Sequence, residues 1–281
     1  MFFTSQDELI QKLKGTASLD NGGVKIENPD RLRSHAIDAL VINSVLNESK
    51  EIRGLSRFII KSTALEMGIV PSSIQELYEA RGRGEYNGFT VPAINIRGMS
   101  YDFSRSIFRT AHKLSTGAFI FEIAKSEIGY TLQKPHELVP VILGSAIREN
   151  YTGPVFIQGD HFQINAKNYI ANPQKEIDGL KDLIREGISA GYYNIDIDTS
   201  TLVDLSRPTL VEQQRSNFEV GVELTRYIRE LEPEGITISI GGEIGEVGKE
   251  NSNPDELEAY MDNFNADLKK AGKNFYKNKK N

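Results

Sequence analysis

The first seventy residues place their apolar side chains at the three- and four-residue spacing of amphipathic helices. Ser5 and Glu8 form a candidate capping box at the start of the first helix. Pro29 suits the first turn of a second helix, and a third is predicted over about 51–65. No strand pattern interrupts this region, so we predict a helical extension over residues 1–75.

From residue 76 the pattern changes, and short apolar runs alternate with longer amphipathic segments. The apolar runs predict strands over residues 89–96, 117–123, 154–159, 192–198 and 235–243. The segments between and after them predict helices over residues 101–114, 136–150, 174–189, 208–231 and about 254–271. Near-continuous apolar strands between amphipathic helices indicate a parallel sheet covered on both faces, and hence an α/β fold.

Polar residues near the strand ends favour one α/β architecture. They are Asn95, Glu122, Asp160 with His161, Asp198 and Glu243. An open doubly wound sheet uses only a few strands at its switch point, whereas all strand ends of a (β/α)₈ barrel meet at one mouth. We therefore predict a TIM (β/α)₈-type barrel of which residues 76–268 provide the first five β-α units. The segment 269–281, rich in lysine and asparagine, is predicted to be a disordered tail.

Composition excludes several classes of function. The 281 residues carry a formal net charge of −6, which argues against nucleic acid as a partner. The chain has no cysteine, which excludes disulfides, thiolate metal sites and cysteine nucleophiles. It begins with no signal-peptide pattern and has no apolar run near the roughly 20 residues of a membrane span. We expect a cytoplasmic protein with no membrane partner.

Asp160 and His161 follow Gly159 at the end of the third predicted strand. Consecutive strand residues point to opposite faces, so both side chains can reach one site only where the strand is ending. That geometry would let His161 bind a metal ion while Asp160 transfers a proton on the substrate. The alternative is a histidine with a purely structural role.

Two further segments are candidates for the same site. Asp196 and Asp198 are two residues apart and share one face of the fourth strand, where unpaired carboxylates would be costly. Either residue could instead cap a turn or pair with a basic side chain. The glycine-rich segment 241–248 is a flexible connection or an active-site loop with Glu243 at its base. Lys125, after the second strand, is interpreted as solvated or anion-binding and not as a Schiff-base nucleophile.

Five stretches resemble the class II, metal-dependent fructose-bisphosphate/tagatose-bisphosphate aldolases in order and approximate spacing, over about residues 76–270. They are GFTVPAINI, FIFEIAKSEIGY, FIQGDHFQ, GYYNIDIDTS and GGEIGEVG, and the Asp-His pair is the most specific element. The resemblance implies a lyase of carbohydrate metabolism, such as glycolysis, on a (β/α)₈ barrel. Such enzymes cleave a ketose 1,6-bisphosphate reversibly to dihydroxyacetone phosphate and an aldehyde phosphate. A divalent metal, usually Zn²⁺, stabilises the enediolate.

The resemblance also implies roles for individual residues. By motif position His161 is a metal ligand, and Asp160 transfers the proton of the hydroxyl at the bond being cleaved. The remaining positions are Glu243 at the metal, Asp198 beside it, and Asn95 and Ser126 at the phosphorylated ketose substrate.

The chain departs from the family pattern in its later part. The family completes its metal site with two histidines, in G-T-x-H-G-like and H-G-G/A-S-like segments, and binds phosphate on glycine-rich loops there. In this chain no histidine follows His161. We expect the N-terminal part of a longer aldolase-like protein, inactive alone, or a chain completed by a second copy or a separate C-terminal polypeptide. A non-catalytic scaffold is the third possibility, and a phosphosugar epimerase or isomerase on the same barrel is the enzymatic alternative.

Overall fold

The computed structural model describes residues 2–20, 22–245 and 251–270. The chain divides into two compact units. The first consists of Met1–Ser72 and Phe89–Ile157, and the second of Ser73–Gly88 and Gln158–Asn281. Residues 271–281 of the predicted tail and residues 246–250 of the glycine-rich segment lie outside the described residues.

The secondary structure is numbered in chain order. The helices are α1 (Gln6–Leu13), α2 (Pro29–Arg31), α3 (Ile37–Leu46), α4 (Lys50–Glu66), α5 (Gln75–Gly82), α6 (Ser100–Leu114), α7 (Lys125–Thr131), α8 (Pro135–Arg148), α9 (Ala166–Ala171), α10 (Pro173–Ala190), α11 (Leu210–Leu231) and α12 (Pro254–Lys270). A π-helical turn, Leu32–Ala36, precedes α3, and a 3₁₀ turn, Ser200–Leu202, precedes α11. The strands are β1 (Ala17–Asp20), β2 (Gly23–Ile26), β3 (Ile69–Ser72), β4 (Ala93–Asn95), β5 (Ile120–Ala124), β6 (Gly153–Gln163), β7 (Asn194–Asp198) and β8 (Ser239–Gly242).

Strands β4 to β8 are the five strands that the apolar runs predict, and helices separate them. In the first unit β4 pairs in parallel with β5. In the second unit the end of β6 pairs in parallel with β7, and β7 with β8. The prediction of an α/β fold with a parallel sheet is therefore confirmed. Among the described residues no strand pairing closes a barrel, and the (β/α)₈ barrel stays a prediction.

The N-terminal region contains strands, which the helical pattern did not predict. β1 and β2 form an antiparallel hairpin in which Ala17 lies opposite Ile26. β3 pairs in parallel with the first half of β6, where Ile69 lies opposite Gly153. The prediction of a purely helical extension is therefore wrong. Each of these strands has four residues, and β3 contains Pro71, so the alternating pattern is too short to be recognised.

The helices of the N-terminal region share a core with α8 in the first unit. Helices α3 and α4 pack against each other and against α8, with Ile37 and Ile60 fully buried. α3 approaches α8 closely at Gly144, where an added Cβ would lie 2.4 Å from Val41 Cγ2. A glycine is therefore needed for α3 to reach α8 at this distance.

In the second unit α11 and α12 pack beside β7 and β8. Helix α11 contacts both β7 and α12, and buried Tyr260 of α12 stacks on Phe264 at a centroid distance of 5.5 Å. An added Cβ at Gly242, the last residue of β8, would lie 2.8 Å from the Tyr260 hydroxyl. Helix α12 thus lies directly against the end of β8. None of the described helices is both long and apolar enough to cross a membrane.

Candidate functional site

Asp160 and His161 lie within β6, which continues to Gln163 and does not end at residue 159 as predicted. Gly159 pairs with Ile195 and Phe162 with Ile197, so three steps along β6 match two along β7. This extra residue in β6 forms a β-bulge. A bulge interrupts the strict alternation of side chains, so two consecutive residues can face the same side of the sheet. His161 has a φ of +40° at the bulge. The bulge, and not a strand end, allows both side chains to reach one cluster.

The bulge depends on a glycine and a buried ring. The Phe162 side chain is fully buried and folds back over Gly159. An added Cβ at Gly159 would lie 2.4 Å from Phe162 Cζ and 2.5 Å from its Cε1. Only glycine leaves room for the ring at this position, so the packing of Phe162 holds the backbone that presents Asp160 and His161.

Four carboxylates surround the His161 ring, all from the second unit. The ring Nε2 lies 3.8 Å from Asp160 Oδ1. The ring Nδ1 lies 3.3 Å from Asp198 Oδ2 and 3.4 Å from Glu243 Oε1. Asp160, His161 and Asp196 have potential ligand atoms within 4.8 Å of one another, and so do His161, Asp198 and Glu243. The structure thus brings together the predicted residues of β6, of β7 and of the segment directly after β8.

Asp198 is held at both carboxylate oxygens. The backbone N–H and the hydroxyl of Ser200 donate to Asp198 Oδ1, at 3.0 and 2.6 Å. The Gln163 side-chain amide donates to Asp198 Oδ2, the oxygen that faces His161. Neither Gln163 nor Ser200 is among the site residues predicted from the sequence. An aspartate two residues before a serine at a strand end is the signal for such a turn.

Asp196 also belongs to the cluster. From the sequence, a structural role as a turn cap or as the partner of a basic side chain was equally possible. It lies opposite Gly241 on β8, where an added Cβ would be 2.4 Å from Asp196 Oδ1. Burial, and then the negative charge of Glu243, raise the pKa of Asp196 to about 6. A carboxyl group that titrates near neutrality can both accept and return a proton.

The cluster has more negative than positive charge. Burial lowers the pKa of His161, but the hydrogen bond to Asp198 and the charges of Asp160, Glu243 and Asp196 outweigh it and raise this pKa. Burial and then the charge of Asp198 raise the pKa of Glu243. Crowded carboxylates of this kind are stabilised by a bound cation. One imidazole nitrogen with several carboxylate oxygens fits a divalent metal ion.

Side chains of α11 hold the backbone that follows β8. The Asn217 side-chain amide donates to the Glu243 carbonyl at 2.8 Å, and that of Gln214 donates to the Ile244 carbonyl at 2.5 Å. The hydroxyl of Thr199 in turn donates to Asn217 Oδ1 at 2.6 Å. The first residues of the predicted glycine-rich loop are therefore anchored to a helix, with Glu243 at the anchored end.

Asn95 and Ser126, the predicted substrate contacts, lie in the first unit. The Asn95 amide donates to Glu127 Oε2 at 3.0 Å, and Ser126 is exposed in the first turn of α7. Buried Glu127 also accepts from the backbone N–H of Ala124 and from the Arg97 guanidinium. Glu127, which the sequence analysis did not identify, thus organises the ends of β4 and β5. The substrate roles of Asn95 and Ser126 stay predictions.

Comparisons with known proteins add little. No protein-family model matches the chain, and no curated protein matches it. Among solved structures it is similar to that of a probable tagatose 6 phosphate kinase from Sinorhizobium meliloti 1021, with a TM-score of 0.48 and 16% sequence identity over 66% of this chain. The chain spans about half, 46%, of the length of that structure. A similarity this low carries no functional conclusion, so function is inferred from the site.

Proposed function

We propose that the chain carries a class II aldolase-type site on part of a (β/α)₈ barrel. The reaction is the reversible, metal-dependent cleavage of a ketose 1,6-bisphosphate to dihydroxyacetone phosphate and an aldehyde phosphate. The observation that supports it is the β6 bulge, which presents Asp160 and His161 to the carboxylates of Asp196, Asp198 and Glu243. A proton-transfer group and a cation-binding group adjacent to each other are what this chemistry requires.

Each residue has a distinct task in this proposal. His161 binds the divalent ion, which when bound polarises the substrate carbonyl as a Lewis acid. Asp160, 3.8 Å from the ring, accepts and returns the proton of the hydroxyl at the bond being cleaved. Glu243 is the oxygen ligand that the family resemblance implies, and Asp196 is a second candidate on geometric grounds. Asn95 and Ser126 are proposed to contact the phosphorylated substrate.

Two arguments bear on the identity of the ion, the family resemblance and the set of ligands. The family resemblance implies Zn²⁺, which catalytic sites usually hold with three protein ligands, histidine prominent among them. The present cluster offers one imidazole and several carboxylates, and oxygen-rich sets also suit Mg²⁺ and Mn²⁺. Zn²⁺ is proposed from the family resemblance, and the other two ions are included in the test because the ligand set suits them. A second copy of the chain, or a further segment that continues the barrel, is proposed as the partner that completes the site.

Calorimetric titration of the chelator-treated chain with Zn²⁺, Mn²⁺ and Mg²⁺ tests the metal site directly. We expect binding of a divalent ion that His161→Ala abolishes. His35→Ala is the matched control, because His35 is an exposed histidine of the first unit and should leave binding unchanged. A folded chain that binds none of the three ions would contradict the proposal.

Release of dihydroxyacetone phosphate from fructose or tagatose 1,6-bisphosphate tests the reaction. It is measured on the chain alone and on the chain supplied with residues that continue the barrel. We expect cleavage in at least one of the two preparations, lost on chelation. In Asp160→Ala cleavage should be lost while ion binding is retained. Absence of cleavage from both preparations, or cleavage that persists in chelator, would exclude a class II aldolase.

A further inference from the structure

The two nitrogens of the His161 ring face different carboxylates. Nδ1 lies 3.3 Å from Asp198 Oδ2, a carboxylate whose side chain is 1% exposed, and 3.4 Å from Oε1 of Glu243, whose side chain is 32% exposed. Nε2 lies on the side of Asp160, at 3.8 Å from its Oδ1, and Asp196 belongs to the same group of potential ligand atoms. Which nitrogen carries the hydrogen therefore decides which carboxylates can share a cation with the ring.

The orientation of the Asp198 carboxylate is fixed well enough to determine which ring nitrogen carries the hydrogen. Ser200 holds Oδ1 with two hydrogen bonds, and the Gln163 amide holds Oδ2. The register of the sheet sets the second of these contacts, because Gln163 lies directly opposite Asp198. An ionised carboxylate only accepts hydrogen bonds, so a neutral ring that faces it must donate from Nδ1.

We propose that Gln163, Asp198 and Ser200 form a positioning group that holds His161 in the Nδ1–H tautomer and directs the Nε2 lone pair towards Asp160 and Asp196. Carboxylates that receive the second N–H of a metal-binding histidine fix its tautomer and orientation in this way. Resting on the proposed function, the inference assigns the cation to the Nε2 side of the ring. Asp196, and not Glu243, is then the neighbouring oxygen ligand.

Nitrogen-15 spectra of the histidine ring test the tautomer without metal or substrate. The pH is raised until the ring nitrogen shifts of His161 stop changing, which marks the neutral ring, and long-range proton–nitrogen correlations should then show hydrogen on Nδ1. In Asp198→Asn the side-chain amide can donate to Nδ1, so the hydrogen should move to Nε2. In Gln163→Ala the Nδ1–H form should lose population, because the Asp198 oxygen is no longer held.

Asp204→Asn is the matched control for these variants. Asp204 accepts from the backbone N–H and hydroxyl of Ser206, as Asp198 does from Ser200, but it lies in an exposed turn. This variant should leave the His161 tautomer unchanged. A wild-type ring with hydrogen on Nε2, or the same tautomer in wild type and Asp198→Asn, would overturn the inference.

Ion binding provides the second measurement. Loss of a group that orients a metal-binding histidine typically weakens metal affinity by about 10- to 100-fold, and we expect a loss in this range for Asp198→Asn. Asp196→Asn should weaken Mn²⁺ binding more than Glu243→Gln does, and the reverse order would contradict the assignment to the Nε2 side. If the tautomers behave as expected but no ion binds, the positioning group stands and the proposed function fails.

Discussion

Substitution of Gly159 by alanine tests the link between buried packing and the site. An added Cβ would lie 2.4 Å from Phe162 Cζ, whereas ordinary contacts begin near 3.4 Å, so the ring must move by about 1 Å. Phe162 is fully buried, so this movement must displace its packed neighbours. Overpacking of this kind costs about 1–3 kcal/mol of the free energy of unfolding.

Two effects adjust this magnitude. Gly159 does not have a positive φ, so alanine adds no backbone strain, and the reduced entropy of the unfolded chain returns about 0.4–1 kcal/mol. We therefore expect a net loss of about 1–2 kcal/mol. At about 2–4 °C per kcal/mol for a chain of this size, thermal unfolding should shift down by roughly 2–8 °C. The displaced bulge should also weaken divalent-ion binding at His161.

Thermal and urea unfolding, followed by circular dichroism, measure the effect on stability. Gly179→Ala is the matched control, because Gly179 is exposed in α10 and has no atom within 4 Å of an added Cβ. That change should stabilise the protein by about 0.5–1 kcal/mol, since alanine is the better helix former. If Gly159→Ala were as stable as wild type and bound the ion equally well, the role assigned to the packing of Phe162 would be refuted.

Three further substitutions test other parts of the structure. Gly241→Ala should displace the Asp196 carboxylate, 2.4 Å from the new Cβ, and weaken ion binding in a calorimetric titration. The raised pKa of Asp196, about 6, means that its contribution to stability is present below pH 3.8 and is lost as pH rises through 6. Asp196→Asn should therefore stabilise the metal-free protein at pH 8, by up to about 3 kcal/mol in urea unfolding, and not at pH 3. Gly144→Ala should cost about 1–3 kcal/mol in the same assay, because its Cβ would meet Val41 at 2.4 Å.

The order of β4 to β8 and their helices could be predicted because each strand lies in an apolar run of the sequence between amphipathic helices. β3 could not be predicted. Its pairing with β6 joins residues more than eighty positions apart, and the strand has only four residues in which an alternating pattern could show. Residue periodicity reports local burial, and a four-residue strand that contains a proline shows too little periodicity to be recognised.

The predicted site residues of β6, β7 and β8 do come together, but for a reason that the sequence pattern did not show. Strict alternation required β6 to end at Gly159 if Asp160 and His161 were both to face the site, and the structure instead bends the strand with a bulge. A bulge depends on how two strands pair and on the ring of Phe162 over Gly159, and neither is visible in one strand's pattern. Gln163 was missed for the same reason, because its contact with Asp198 follows from the register.

We propose that the bulge in β6 makes His161 the centre of a divalent-ion site. Calorimetric titration of the chelator-treated protein and of its His161→Ala variant, with Zn²⁺ and then Mn²⁺, tests it most directly. We expect an ion to bind to the wild-type chain and none to bind to the variant, which should still be folded by circular dichroism. Equal binding by both proteins, or no binding by either, would contradict it.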